Sequence, residues 1–295
     1  MKNTKIKLLA IVMVVALLTG VISFMAFATE TTPLGYSASR VVKKDVTGIT
    51  NFKDFDANSD KTEYVVSDLE GLNKLATIVT GGKTLAGVTI YQTANISGKG
   101  LGTDGANAPF AGIGKDLNKI FAGTYDGQGY YVNDLTVKNT SSNMVGFFNS
   151  AKGTIRNVVL GDNFIVDATK SQVGGLVGAV RPGDTPAVID NCYIAATVKA
   201  GGSLCGGVVG QADWDAAQNP NSAIKITNVT FNGSATIAGG RAGGILGRAA
   251  AVDLEIDNCV VAGTLLTGTA ETPKASADAD VCGNGYRNDV LWYCR

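Results

Sequence analysis

The chain has 295 residues with 25 basic and 25 acidic side chains, so its net charge is zero and no polyanion-binding surface is implied. Hydrophobic residues make up 45%, too apolar for a disordered chain, and the 38 glycines follow no collagen period. Histidine is absent, which removes the commonest general base, the usual zinc ligand and every Ser-His or Cys-His nucleophile pair.

Lys2, Lys5 and Lys7 precede an apolar run from Leu8 to Phe24, and Ala26-Phe27-Ala28 forms an A-x-A cleavage site. Residues 1–28 therefore read as a secretion signal. The run is long enough to serve as an uncleaved anchor, but the small-residue site and the polar Thr29-Glu30-Thr31-Thr32 that follow favour cleavage. No later apolar run has spanning length, so a secreted, extracellular or cell-surface chain is expected, without a membrane span after cleavage. Residues 29–63 are polar and weakly patterned and read as a linker or lead-in. Within them Asp56, Asn58 and Asp60 have the first spacings of a calcium loop. The glycine at the next even step and the glutamate at the twelfth position are missing, so a polar turn is expected.

In "SDLEGLNKLATIV" (67–79), Leu69, Leu72, Leu75, Ala76 and Val79 share one helical face, and Ser67 with Glu70 has the capping-box spacing. This helix would cover one end of an apolar core. Strand-like "TLAGVTIYQTANI" (84–96) follows, then "FAGTYDGQGYYVNDLTV" (121–137), two strands about a turn at Asp126-Gly127-Gln128-Gly129.

From here two motifs alternate. One is glycine-rich: "VGFFN" (145–149), "VGGLVG" (173–178), "CGGVVG" (205–210) and "AGGILG" (242–247), with a damaged echo, "VCGNGY" (281–286). The other is I-x-N-[V/C]-x-apolar: "TIRNVVL" (154–160), "VIDNCYI" (188–194), "KITNVTF" (225–231) and "EIDNCVV" (255–261), with "VLWYC" (290–294) as a weak fifth copy. A third apolar patch follows each: Val166, Val198, Ile237 and Leu266. Each interior glycine costs roughly 0.5–1 kcal/mol against alanine, so its repetition points to a corner with φ > 0 or a close chain approach. Short β-branched segments in a fixed order with variable spacers predict a parallel β-helix. Ile155, Ile189, Ile226 and Ile256 would form one inward ladder, and Val158, Cys192, Val229 and Cys259 the next. Asn157, Asn191, Asn228 and Asn258 would turn a corner in the left-handed conformation and hydrogen-bond along the axis. Domains follow: 29–63 lead-in, 64–140 cap and first strands, 141–295 repeats.

These motifs resemble bacterial proteins bearing the GLUG repeat, whose Gly-Leu-any-Gly core stands here as Gly175-Leu176-Val177-Gly178. The resemblance runs over roughly residues 64–294. It departs at the last copy, where Asn284 and Gly285 replace two aliphatics. It implies a secreted or surface-attached, right-handed β-helix of adhesin type, sometimes joined to peptidase or other enzymatic domains, and no catalysis by the repeat itself.

β-Helix lyases and glycosidases need carboxylates projecting from neighbouring rungs. Asp162, Asp190 and Asp257 are the candidates, but Asp190 and Asp257 stand two rungs apart with Thr227 between, about 9.6 Å. No catalytic residue, metal or cofactor is nominated. The segments after each glycine motif, "NSAKG", "AVRPGDTPA", "QADWDAAQNPNSA" and "RAAAVD", leave one side of the solenoid. The longest presents Trp214 between Asp213 and Asp215, with Arg181, Asp184 and Arg248 nearby. Trp214, Asp213, Asp215 and Arg181 are the candidate binding residues, for a glycan or a host or cell-surface protein. A Trp214 folded back over its corner is the bland alternative. An exposed aromatic patch would favour a binding or adhesive module, a buried carboxylate pair a carbohydrate-active enzyme, and a uniformly small polar surface a structural spacer.

Five cysteines are too few for a disulfide scaffold. Cys192 is expected as a buried free thiol, and Cys259–Cys294 as the pairing that rung spacing permits. No cap is evident at the C-terminal end. Residues 281–295, with Trp292 and Tyr293, would cover it, and their loss would lead to self-association there.

Overall fold

The computed structural model describes residues 34–139, 142–212, 223–250, 253–267 and 274–275. The secretion signal, the fifth glycine and asparagine copies, Cys282 and Cys294 lie outside them.

One turn of the chain defines the architecture. Strands Thr154–Arg156, Val159–Leu160, Ile165–Ala168, Val173–Gly174 and Val177–Val180 follow each other around the axis. Each pairs in parallel with its counterpart one turn later: Ala187–Asp190, Tyr193–Ile194, Thr197–Ala200, Leu204–Gly206 and Val209–Ala212. The next turn repeats the set from Ala223 to Ala249. Five parallel stacks result, and the chain is an all-β parallel β-helix with one α-helix among the described residues.

The isoleucine ladder is observed and is longer than expected. Tyr64, Ile90 and Tyr125 continue it toward the first rung, then Ile155, Ile189, Ile226 and Ile256 follow in register. None is more than 2% exposed. Val158, Cys192 and Val229 are fully buried beside it, and Cys259 is half-buried. The third ladder differs from expectation. Val137, Val166, Val198, Ala235 and Leu265 are the aligned residues. Ile237 stands opposite Ala200, and Leu266 opposite Thr236. A period of two sends neighbours to opposite faces, so an apolar residue one or two steps along the strand does not mark the register.

The asparagine corners are as expected. Asn157, Asn191, Asn228 and Asn258 have φ of 55, 49, 57 and 51°, and Gln128 takes the same place one rung earlier at 49°. The four described glycine motifs resolve in favour of close approach, since none of their glycines has positive φ. The chain folds back tightly between Val173–Gly174 and Val177–Val180. A Cβ on Gly174 would lie 2.2 Å from Val177 O, and one on Gly206 1.8 Å from Val209 O.

The helix spans Leu69–Thr80 (α1) and buries Leu72, Leu75, Ala76 and Val79 against the first rung. Its N-cap is Asp68, whose carboxylate accepts from Gly71 N at 2.8 Å; the capping box at Ser67 and Glu70 is not used. Ser67 instead donates to Asp68 Oδ2 and accepts from Asn51 Nδ2. Phe52, Phe55 and Tyr64 pack ring to ring beneath this cap. Among the described residues no helix is long and apolar enough to cross a membrane.

The lead-in is not a loose linker. From Gly35 it runs along the asparagine corner toward the first rung, against the direction in which the rungs advance. Gly35 N donates to Asn258 Oδ1 (3.2 Å), Tyr36 N to Thr230 Oγ1 (2.9 Å), Ser37 N to Asn191 Oδ1 (2.9 Å) and Lys44 N to Gln128 Oε1 (2.6 Å). Its polar composition conceals this role, because it is held by amides and hydroxyls rather than by apolar burial.

Candidate functional site

The asparagine corner is braced along the axis by side chains. Asn157 Nδ2 donates to Asp126 Oδ1 (2.9 Å), Asn191 Nδ2 to Asn157 Oδ1 (2.8 Å) and Asn258 Nδ2 to Asn228 Oδ1 (2.6 Å). The ladder jogs once, where Asn228 Nδ2 goes to Asp190 Oδ1 (2.7 Å). That leaves Asn191 Oδ1 for Ser37. Asp126, buried at 3% exposure, also accepts from Gln128 N and pairs with Arg156 Nε at 2.9 Å.

This accounts for the carboxylates weighed from the sequence. Asp190 Oδ1 accepts from both Thr227 Oγ1 (2.6 Å) and Asn228 Nδ2, so it braces the corner. Asp257 is exposed one rung beyond Thr227, and Asp162 lies in the turn Gly161–Phe164 on another corner. The three do not converge. Asp56 and Asn58 form a tight polar turn, with Asn58 N donating to Asp56 Oδ1. Among the described residues no group of three or more Cys, Asp or Glu is placed to hold a metal.

The proposed loop side is partly visible. Strand ends Ala151, Val180, Ala212 and Ala249 are aligned, so the segments that follow leave one corner. Arg181 is half-buried there, its N donating to Ala151 O, while Asp184 is exposed. Arg248, Gln211, Ala179 and Ser150 form one ladder beside it. All four expected loops begin later than the motif suggested, since Ala179 and Val180, Gln211 and Ala212, and Arg248 and Ala249 end strands. Asn149, Ser150 and Ala151 are buried in a strand, and so is Ala249. Asp213, Trp214 and Asp215 lie outside the described residues.

Aromatic side chains gather at the asparagine corner, at the other end of the strands that follow the loops. Tyr131, Val159, Tyr193, Thr230 and Val260 form the outward ladder of the short strands that follow the asparagines. Tyr131 is 42% exposed. Tyr193, half-buried, accepts from Asn232 Nδ2 at 2.7 Å and faces Tyr36 of the strap at 5.8 Å between ring centroids. Lys43 places Nζ 3.8 Å from the ring centroid of Tyr130. The signal was present in the sequence: "GYYV" and "NCYI" put tyrosine at the same outward step before an inward aliphatic.

A cleft of about 740 Å³ lies between α1 and the segment 109–111, lined by Asn73, Thr77, Thr80, Phe110 and Lys138 among others. Lys138 is its one titratable side chain, so it offers no acid–base pair.

The class defined by fold and surface is thus a parallel β-helix with an asparagine-braced corner and a tyrosine row beside it. Neither a family model nor a curated protein sequence matches the chain. Among solved structures it is similar to a Bacteroides ovatus chain provisionally named an immunoglobulin A1 protease, at 17% identity and a TM-score of 0.46, over 76% of this chain and 75% of that one.

Proposed function

We propose that the chain is a secreted or cell-surface β-helix that acts as a binding or adhesive module, with a glycan as its ligand. The observation that carries this reading is the tyrosine row. A sugar offers a flat C–H face to an aromatic ring and hydroxyls to neighbouring amides, which is the mixture of apolar wall and few polar groups that binding sites use. Tyr131 and Tyr193 stand two rungs apart, about 9.6 Å and on the order of a disaccharide. Asn232 and Asn133 flank them on the next outward step. The basic start and A-x-A site of residues 1–28 support export.

The second reading has binding at the loop corner, on Trp214, Asp213, Asp215 and Arg181. It is favoured by loops of unequal length leaving one aligned edge, the usual place for recognition on a repeat scaffold. A carbohydrate-active enzyme is less well supported, because the carboxylates that would serve it are spread over two corners or engaged in the ladder.

One experiment separates the two binding corners. The mature chain is applied to an array of neutral and acidic oligosaccharides, and the best binder is titrated against variants. Loss of about tenfold in affinity with Tyr131→Ala and Tyr193→Ala, and not with Trp214→Ala, is expected. The reverse pattern moves the site to the loop corner, and an array without signal removes the glycan.

A further inference from the structure

The strap is bonded to parts of the chain that are made long after it. Gly35 reaches Asn258, 223 residues away, Tyr36 reaches Thr230, 194 away, and Ser37 reaches Asn191, 154 away. Its register follows the spare oxygens of the ladder. Each asparagine amide donates toward the first rung, so Oδ1 of Asn258, the last described asparagine of the ladder, is left to Gly35 N. The jog at Asp190 leaves Asn191 Oδ1 to Ser37 N. Gly35 itself makes the close approach possible. Its φ is +72°, and a Cβ there would lie 2.2 Å from Thr230 Oγ1 and 3.1 Å from Val260 Cγ2. Arg40 Nη1 donates to Gly35 O and holds that turn of the strap together.

The strap's other fastenings are polar or partial: Lys44 N donates to Gln128 Oε1 (2.6 Å), Lys44 Nζ lies 3.2 Å from Glu63 Oε1, and Val41 is half-buried. Ala38, Ser39, Val42 and Lys43 are exposed, and Val42 is 85% so. A segment with few apolar contacts and peripheral hydrogen bonds belongs to the low-stability end of a structure and opens without the core. The same segment supplies Tyr36 to Tyr193 and Lys43 to Tyr130, so part of the aromatic corner exists only while it is docked.

We infer that residues 34–44 are a latch. It closes after the last described rung has formed, because the acceptor of Gly35 is there; it opens independently of the rungs; and closed, it completes the tyrosine corner. The third statement rests on the binding reading above, and the first two do not.

The test is Gly35→Val, which blocks docking sterically and touches no rung contact in the core. Hydrogen exchange is followed by peptide mass spectrometry. Peptides covering 34–44 should exchange about 100-fold faster, the loss of a few hydrogen bonds acting together. Peptides covering 187–194 and 223–231 should keep their protection. Asn258→Gly tolerates the left-handed corner and removes the side-chain acceptor of Gly35 N together with the donor to Asn228 Oδ1, while Asn258 O still accepts from Gly35 N, so it should speed exchange of 34–44 in the same direction by a smaller factor. Unchanged protection of 34–44 in both variants overturns the latch, and so does a loss shared equally with the rungs. The oligosaccharide that binds the unaltered chain best should bind Gly35→Val about tenfold more weakly. Unchanged affinity overturns the role of the latch in the corner. A chain that binds no oligosaccharide sinks the glycan reading, while the exchange result still decides the latch.

Discussion

Ile226 has no exposed surface and lies in register between Ile189 and Ile256. Ile226→Asp places a carboxylate there without a partner, so the group must either desolvate or take up a proton, and both oppose folding. Loss of the cooperative melt by circular dichroism is expected. A wild-type melt would contradict the ladder. Cys205, also fully buried, shows burial acting on a titration. Desolvation pushes its thiol up to about 12, against about 8.5 for an unfolded cysteine. Between those values the unfolded chain releases the proton and the folded chain retains it, so stability falls as pH rises. Below about 8.5 both states are protonated and the contribution is complete. Thermal melts of the native chain and Cys205→Ala should therefore converge as pH rises from 8 toward 10, and a constant gap would speak against burial of a protonated thiol. Cys192 is likewise a fully buried free thiol, and burial shifts it up. Cys294 lies outside the described residues, and with it the expected Cys259–Cys294 bridge.

Among the elements, the glycine-rich fold-back is the most demanding. Gly206 faces Val209 O so closely that any Cβ must move backbone. Gly206→Ala should destabilise by about 1–3 kcal/mol or more, as overpacked sites do. Gly239→Ala is the control, because nothing lies within 4 Å of a Cβ there and its φ is not positive. It should be neutral or stabilising by about 0.4–1 kcal/mol through the unfolded chain. Chemical denaturation of the two variants checks both. Equal effects would mean the glycines are retained for some need other than close approach.

At the scale of the whole molecule, a solenoid must cover the edges of its terminal rungs, which otherwise template further strand pairing. α1 covers the first rung, and the strap ties it to the last described rung through the asparagine corner. The strap thereby adds contacts of very long sequence separation to an architecture whose other contacts join neighbouring turns. The last described turn of strands, from Asp253, ends in a short antiparallel pair, Leu266 with Ala275. Residues 281–295 are outside the described residues, and their proposed role as cover is tested by deletion. Concentration-dependent association in light scattering is expected. A deleted chain that stays monomeric and melts like the full one would remove the idea.

The repeats determined much of this by themselves. Ile155 and Asn157 recur with their spacing because an inward aliphatic and a left-handed corner are local backbone requirements, and such requirements leave a mark at each copy. The glycine fold-back was legible as a need and not as a geometry, since a sequence does not distinguish positive φ from crowding. The strap, the jog at Asp190, the register of Ala235 and Leu265 and the meeting of Tyr36 with Tyr193 were decided by the tertiary structure. Each depends on which hydrogen-bond acceptor or outward step is left open after the rungs have stacked. That choice is made between residues as far apart as Gly35 and Asn258, where no local pattern can record it.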